Sequence, residues 1–143
     1  MRSAQALVEA VAAIDPQHSF SLQPRDGVTL CNEAARFICA VLGVPLVRDI
    51  ANNQRDWLAA SLEWKPVDVE TARQRAASGF PTLAVWKNPT GPGAHGHIAV
   101  MVPAPLSDPG GTYCAAAGLR NTNCDTLTSQ FGLSIYPEFY TTE

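Results

Sequence analysis

The chain has 143 residues, of which 46% are hydrophobic and 16% charged, and its formal net charge is −3. This length and composition predict one globular domain over residues 1–143, with a core that needs no disulfide bonds. The ten basic residues are scattered along the chain, which argues against nucleic acid as a partner, and no apolar run is long enough to span a membrane. The N-terminal segment lacks the basic leader and unbroken apolar stretch of a Sec signal.

Four segments in the first half of the chain predict helices from their apolar spacing and their capping residues. The expected ranges are 4–14, about 30–42, a segment from Asn52 or Asn53 through Leu58, and about 69–77. Ser3, Thr29 and Asp68 are the expected N-caps of the first, second and fourth helices. Because Thr29 precedes the second helix, Cys31 falls in its first turn.

From residue 80 onward the sequence is typical of strands. The expected strands cover 82–86, 97–102, 112–116 and 135–140, the last being an edge strand interrupted by Pro137. The first two form a hairpin with a long Gly- and Pro-rich connection. Alternation along a strand places His97, Ala99 and Met101 on one face. Helices followed by antiparallel strands predict an α+β fold, in which the helices pack on a small antiparallel sheet.

Cys31 and His97 are the residues with the clearest chemical potential. A thiol at a helix N-terminus has its thiolate stabilised by free amide N–H groups and by the helix dipole, and a nearby imidazole can lower its pKa further. His97, at the start of a strand that the second helix can cover, can serve as the base. This is the arrangement of a papain-like cysteine hydrolase, in which the thiolate is the nucleophile.

Several residues compete for the remaining roles. His95 is the alternative base, but it lies in a loop, and rigid elements hold catalytic geometry better. A base also needs a third group to orient it, and Cys114 on the following strand is the expected position, with Asn121 and Asn123 as substitutes. Backbone N–H groups at the start of the second helix, including that of Cys31, are expected to hold the oxyanion.

The other cysteines have simpler interpretations. Cys39 lies on the second helix among apolar residues and is expected in the core. The four cysteines show no CxxC spacing, so neither a zinc site nor another cofactor is predicted. A disulfide between Cys114 and Cys124 is an alternative that the sequence leaves open.

Three segments carry a resemblance to a known family: TLCNEAARFICAVLGVPL, IANNQRDWL and ARQRAASGFPTLAVWKNPTGPGAHGHIAVMVPAPL. Together with the strand at 112–116 they span roughly residues 29–116. They resemble the group 1 amidase effectors of type VI secretion, a branch of the NlpC-type and CHAP-type peptidoglycan hydrolases. In that family the nucleophilic cysteine opens a helix that ends in an LGVP turn, and the base lies in a GH(I/V)AVV segment. Cys31, His97 and Cys114 match the family's three active-site positions.

The resemblance implies a cysteine amidase that cuts the peptide stem of peptidoglycan, typically between D-glutamate and meso-diaminopimelate. It also implies export without a Sec signal into the periplasm or cell wall of a target cell, through a secretion apparatus, with an immunity protein protecting the producer. Two features depart from the family. Asn32-Glu33 follows the cysteine where a Ser-Gly pair is usual, and the segment after residue 116 is closer to single-domain NlpC-like proteins of other contexts, including phage-associated ones.

Two alternatives remain open on the sequence. One is a phage or housekeeping endopeptidase that acts on its own host's wall. The other is a binding module that kept the scaffold and lost the chemistry, against which the intact pair of Cys31 and His97 speaks.

Overall fold

The computed structural model describes residues 1–143, which form five α-helices, six β-strands and one short 3-10 turn. The helices are α1 (Ala4–Ile14), α2 (Cys31–Val41), α3 (Ala51–Ala60), α4 (Val69–Ala77) and α5 (Leu127–Phe131). The strands are β1 (Lys65–Val67), β2 (Thr82–Trp86), β3 (His97–Val102), β4 (Tyr113–Ala116), β5 (Thr122–Thr126) and β6 (Glu138–Thr141). This confirms the predicted α+β class. No helix is both long and apolar enough to cross a bilayer.

The six strands form one antiparallel sheet in the order β1-β6-β2-β3-β4-β5. The predicted hairpin of β2 and β3 lies at its centre, where Trp86 pairs with His97. Helix α2 packs against β3, while α5 packs against β4 and β5. Helix α2 therefore lies on the middle of the sheet, and α5 lies on the two strands at the β5 edge.

Local capping explains where two of the helices begin. The Ser3 hydroxyl accepts a hydrogen bond from the Ala6 N–H at 3.0 Å, and the Asp68 carboxylate accepts one from the Thr71 N–H at 2.7 Å, as predicted. The expected Thr29 cap is wrong, because Leu30 occupies the N-cap position of α2 and makes no side-chain capping bond. The first amide groups of α2 therefore have no capping side chain as a partner.

The last strand differs from the sequence expectation. β6 begins at Glu138, after Pro137, and lies between β1 and β2 rather than at an edge. A proline directly before a strand removes no hydrogen bond from the ladder, so it does not confine the strand to an edge. The true edges are β1 and β5, and neither strand was predicted. β5 was missed because its sequence, Thr-Asn-Cys-Asp-Thr, is polar.

A cluster of 27 buried apolar residues runs from Leu7 on α1 to Tyr140 on β6. Cys39 belongs to this core with 1% of its surface exposed, as predicted. All four cysteines are free. Cys114 pairs with Asp125 across β4 and β5, so the adjacent Cys124 points to the opposite face of the sheet. This alternation explains why Cys114 and Cys124 do not form a disulfide bond.

Candidate active site

Cys31 is the first residue of α2 and lies against the beginning of β3. Its side chain is 5% exposed, and the backbone N–H groups of Ile98, Asn32 and Cys31 itself act to lower the pKa of the thiol. Ile98 directly follows His97 in the chain. The packing of α2 on β3 therefore brings the start of the helix, with Cys31, towards the start of the strand, with His97, although Cys31 and His97 are distant in the sequence.

His97 is half-buried at the first position of β3. Its Nε2 atom lies 3.1 Å from Oε1 of Gln130 on α5. The Phe131 ring packs against the imidazole at a centroid distance of 4.8 Å and an interplanar angle of 57°. A hydrogen bond and an aromatic contact thus orient the imidazole from α5.

The orientation of the Gln130 amide identifies the tautomer of His97. The Nε2 group of Gln130 donates to the backbone carbonyl of Arg120 at 2.9 Å, which leaves the amide oxygen facing the imidazole. An amide oxygen only accepts, so His97 Nε2 carries the proton. The Nδ1 atom of His97 is then free to accept a proton from another group.

Gly118 provides the space in which His97 and Gln130 meet. Val100 pairs with Ala115 and Met101 with Cys114, and continuing this register places Gly118 opposite His97. A Cβ atom at Gly118 would lie 3.2 Å from Cε1 of His97 and 3.5 Å from Oε1 of Gln130. Hydrogen in place of a side chain allows the close approach.

Burial determines the charge state of the pair. It raises the pKa of the Cys31 thiol, an effect that the three backbone N–H groups only partly offset. Burial also lowers the pKa of His97, against the opposing effect of the Gln130 hydrogen bond. Near pH 7 the structure therefore holds a neutral thiol and a neutral imidazole. The expectation of a lowered thiol pKa is wrong for this resting state, because desolvation outweighs the helix N-terminus.

Two neighbouring cavities open beside these residues. A cavity of about 510 Å³ is bordered by His97, Gly118, Arg120 and Gln130. A second cavity of about 210 Å³ is bordered by Cys31 and the start of α2. Thr29, His95 and Gly96 line both cavities. Together they form a two-part cleft with His97 in one part and Cys31 in the other.

The structure does not bring Cys114 to His97. Cys114 lies opposite Met101 with none of its surface exposed. Since a strand advances about 3.3 Å per residue, the four steps along β3 from Met101 to His97 separate Cys114 from His97 by roughly 13 Å. Cys114 is a core residue here, and Gln130 occupies the place next to the imidazole.

Neither candidate asparagine contacts His97. Asn121 donates to the carbonyls of Pro16 and Leu22, at 2.9 and 2.7 Å. Asn123 binds Asp15 and the Gln17 N–H. Both side chains attach the loop after α1 to the β4–β5 region.

His95 is exposed in the loop before β3, where it lines both cavities. The only hydrogen bond it receives from a side chain is to its backbone carbonyl, from Asn88 at 3.1 Å. Unlike that of His97, its imidazole has no hydrogen-bonding partner. No group of three or more His, Cys, Asp or Glu side chains is placed to hold a metal ion.

The sequence did not predict that Gln130 contacts His97. Its helix has five residues, and its cap, in which the Thr126 hydroxyl accepts from the Ser129 N–H at 3.2 Å, was its only local signal. A single polar residue on so short a helix has no periodicity that would indicate its direction.

Part of the chain is similar to a protein of known name. Over 77 residues the chain is 38% identical to a protein of Pseudomonas aeruginosa named peptidoglycan amidase Tse1. The match covers 53% of this chain and 46% of Tse1, so it spans about half of each protein. No family model matches the chain.

Proposed function

We propose that this chain is a cysteine amidase that hydrolyses an amide bond in the peptide stem of peptidoglycan, with Cys31 as nucleophile and His97 as base. The observation that carries the proposal is the packing of α2, which begins at Cys31, against β3, which begins at His97. The cavities that these two residues line share Thr29, His95 and Gly96. The partial similarity to a protein named peptidoglycan amidase Tse1 supports the substrate class.

In the first half of the reaction the neutral pair supplies a thiolate as the bond forms. His97 Nδ1 takes the proton from the Cys31 thiol, and the sulfur attacks the amide carbon. The oxyanion lies at the start of α2, where the N–H groups of Cys31 and Asn32 have no capping side chain. The imidazolium then gives its proton to the amide nitrogen, the C–N bond breaks, and an amine leaves a thioester on Cys31.

The second half regenerates the enzyme. His97 removes a proton from water, the oxygen attacks the thioester carbon, and the C–S bond breaks. The product is a carboxylic acid, and the proton held by His97 returns to the sulfur. Throughout both halves Gln130, rather than Cys114, holds the Nε2–H of His97 and keeps Nδ1 directed for proton transfer.

We place residues 1–143 in one papain-like, NlpC-type domain, and the continuous core from α1 to β6 supports this assignment. The scissile bond is that between D-glutamate and meso-diaminopimelate. The protein acts in the periplasm or cell wall of a target cell as an interbacterial effector, and an immunity protein protects the producer.

Digestion of purified sacculi that contain diaminopimelate tests the chemistry. Mass spectrometry of the soluble products should show new amino groups on diaminopimelate and new carboxyl groups on D-glutamate. Cys31→Ala should release none, whereas Cys124→Ala, which changes an exposed free cysteine, should match the parent protein. Equal product from Cys31→Ala, or cleavage at another bond, would contradict the corresponding part of the proposal.

The site of action is tested in living bacteria. Production of the chain with an added periplasmic leader should lyse the cells, while cytoplasmic production should not. Cys31→Ala with the same leader should be harmless at equal protein level. Lysis from the cytoplasm alone would argue against a cell-wall target.

A further inference from the structure

The cleft contains one formally charged side chain, that of Arg120. The larger cavity is bordered by thirteen residues and the smaller by eleven. Apart from Arg120, all of them are apolar, neutral polar, glycine or histidine. In a chain with a net charge of −3, a single cation inside the cleft gives the site a local charge opposite to that of the protein.

The guanidinium of Arg120 makes a hydrogen bond to a neighbouring side chain but forms no salt bridge. One Nη atom donates to the Ser129 hydroxyl at 2.8 Å, and that hydroxyl donates to the Asp125 carboxylate at 2.9 Å. Arg120 takes part in none of the ion pairs of the chain. By contrast, Arg55 is paired with Glu138 through two nitrogens. Because a guanidinium has five N–H donors, Arg120 retains several that can reach a ligand.

The backbone of Arg120 is also tied to the base. Its carbonyl accepts from Gln130, whose oxygen faces His97. This bond keeps the backbone of Arg120 next to the residue that orients His97, and the exposed side chain of Arg120 lines the same cavity as the imidazole.

We propose that Arg120 binds a carboxylate on the amine side of the scissile amide and so determines specificity for an acidic peptide. This inference rests on the proposed function. His97 protonates the leaving amine, so the part of the substrate that carries the amine occupies the cavity lined by His97 and Arg120. Planar, bidentate recognition of carboxylate is the interaction for which arginine is suited. In the peptide stem, diaminopimelate supplies both the amine and free carboxylates.

The test compares two synthetic tripeptides, L-alanyl-γ-D-glutamyl-diaminopimelate and the same peptide with the diaminopimelate carboxylates converted to carboxamides. The parent protein should hydrolyse the free acid with a kcat/KM at least about tenfold higher, the size expected for hydrogen bonds between charged groups. Arg120→Gln should lose that preference by slowing the free acid alone. Arg48→Gln, which removes an exposed arginine outside the cleft, should keep it.

The outcomes separate this inference from the proposed function. Equal losses on both tripeptides in Arg120→Gln, or no preference in the parent protein, would overturn the role of Arg120 while leaving the amidase intact. If the parent protein cleaves neither peptide, the amidase proposal fails, and calorimetric binding to Cys31→Ala still tests Arg120. In that measurement the free acid should bind more tightly than the amide, and the difference should vanish in the Cys31→Ala, Arg120→Gln double variant. Binding that is independent of Arg120 would overturn the inference.

Discussion

Replacing Gln130 with alanine removes the only side-chain hydrogen bond to His97, of 3.1 Å, and the bond of 2.9 Å to the Arg120 carbonyl. Water can reach the freed groups because Gln130 borders the cleft, so we expect the free energy of unfolding to fall by only about 1 kcal/mol. Loss of one orienting bond worth about 0.5–1.5 kcal/mol corresponds to a kcat lowered roughly 2- to 12-fold. KM should stay near the parent value.

The pH dependence of activity distinguishes a role of Gln130 in positioning His97 from a general loss of structure in the variants. The hydrogen bond from Gln130 raises the pKa of His97, against the lowering by burial. Without Gln130 the pKa of His97 falls further, so the neutral base persists to lower pH. The acid limb of the kcat/KM profile, which reports the free enzyme, should therefore move to lower pH in Gln130→Ala. In Gln130→Glu a carboxylate favours the imidazolium, and the same limb should move to higher pH.

The assay is the initial rate of tripeptide hydrolysis between pH 4 and pH 8, alongside thermal unfolding of each variant. Thr128→Ala, on the exposed side of the same short helix, is the matched control and should follow the parent profile. The assignment of Gln130 as the group that positions His97 would be refuted if the acid limb of the kcat/KM profile moved in the same direction in Gln130→Ala and Gln130→Glu. It would also be refuted if the acid limb did not move in either variant.

Three further predictions address the base, its packing and the nucleophile. His97→Ala should be as inactive as Cys31→Ala in tripeptide hydrolysis, and the double variant should be no less active than either single variant. His95→Ala should keep most of the activity. If His95→Ala were inactive and His97→Ala active, the base would be His95 in the loop. Gly118→Ala should displace the imidazole of His97 by a few tenths of an ångström, since the added Cβ would lie 3.2 Å from Cε1 of His97. The kcat should fall several-fold with little change in melting temperature. A crystal structure of the variant with an unmoved imidazole, together with full activity, would contradict this. Because burial raises the pKa of Cys31, iodoacetamide should label the native thiol slowly at pH 6 and faster through pH 9, as measured by peptide mapping, whereas fast labelling at pH 6 would indicate a preformed thiolate.

The sequence predicted the elements that carry Cys31 and His97 because each has a strong local signal. Ser3 and Asp68 cap their helices as expected, and the hairpin of β2 and β3 follows from β-branched runs on either side of a Gly- and Pro-rich loop. The run of β-forming residues from 97 to 102 also placed His97 correctly at the start of β3. In each of these cases the information lies within a short window of residues.

The parts that could not be predicted depend on contacts between distant segments. Gln130 reaches His97 only because α5 packs on β4 and Gly118 leaves the space open. The place of β6 inside the sheet depends on pairing with β1 and β2, which no periodicity within 138–141 indicates. The raised pKa of Cys31 is a consequence of burial under the finished fold, while the sequence suggests only the opposing effect of a helix N-terminus.

The central claim, that Cys31 is the nucleophile for an amide of the peptide stem, is tested most directly with a reagent built on the acyl half of the substrate. L-alanyl-D-glutamate whose γ-carboxyl is replaced by a chloromethyl ketone should alkylate the native protein as chloride leaves. Peptide mapping should then find the adduct on Cys31 alone, with hydrolysis lost in proportion and no adduct in Cys31→Ala. An adduct on Cys39, Cys114 or Cys124 in place of Cys31, or undiminished hydrolysis after complete modification of Cys31, would contradict the account.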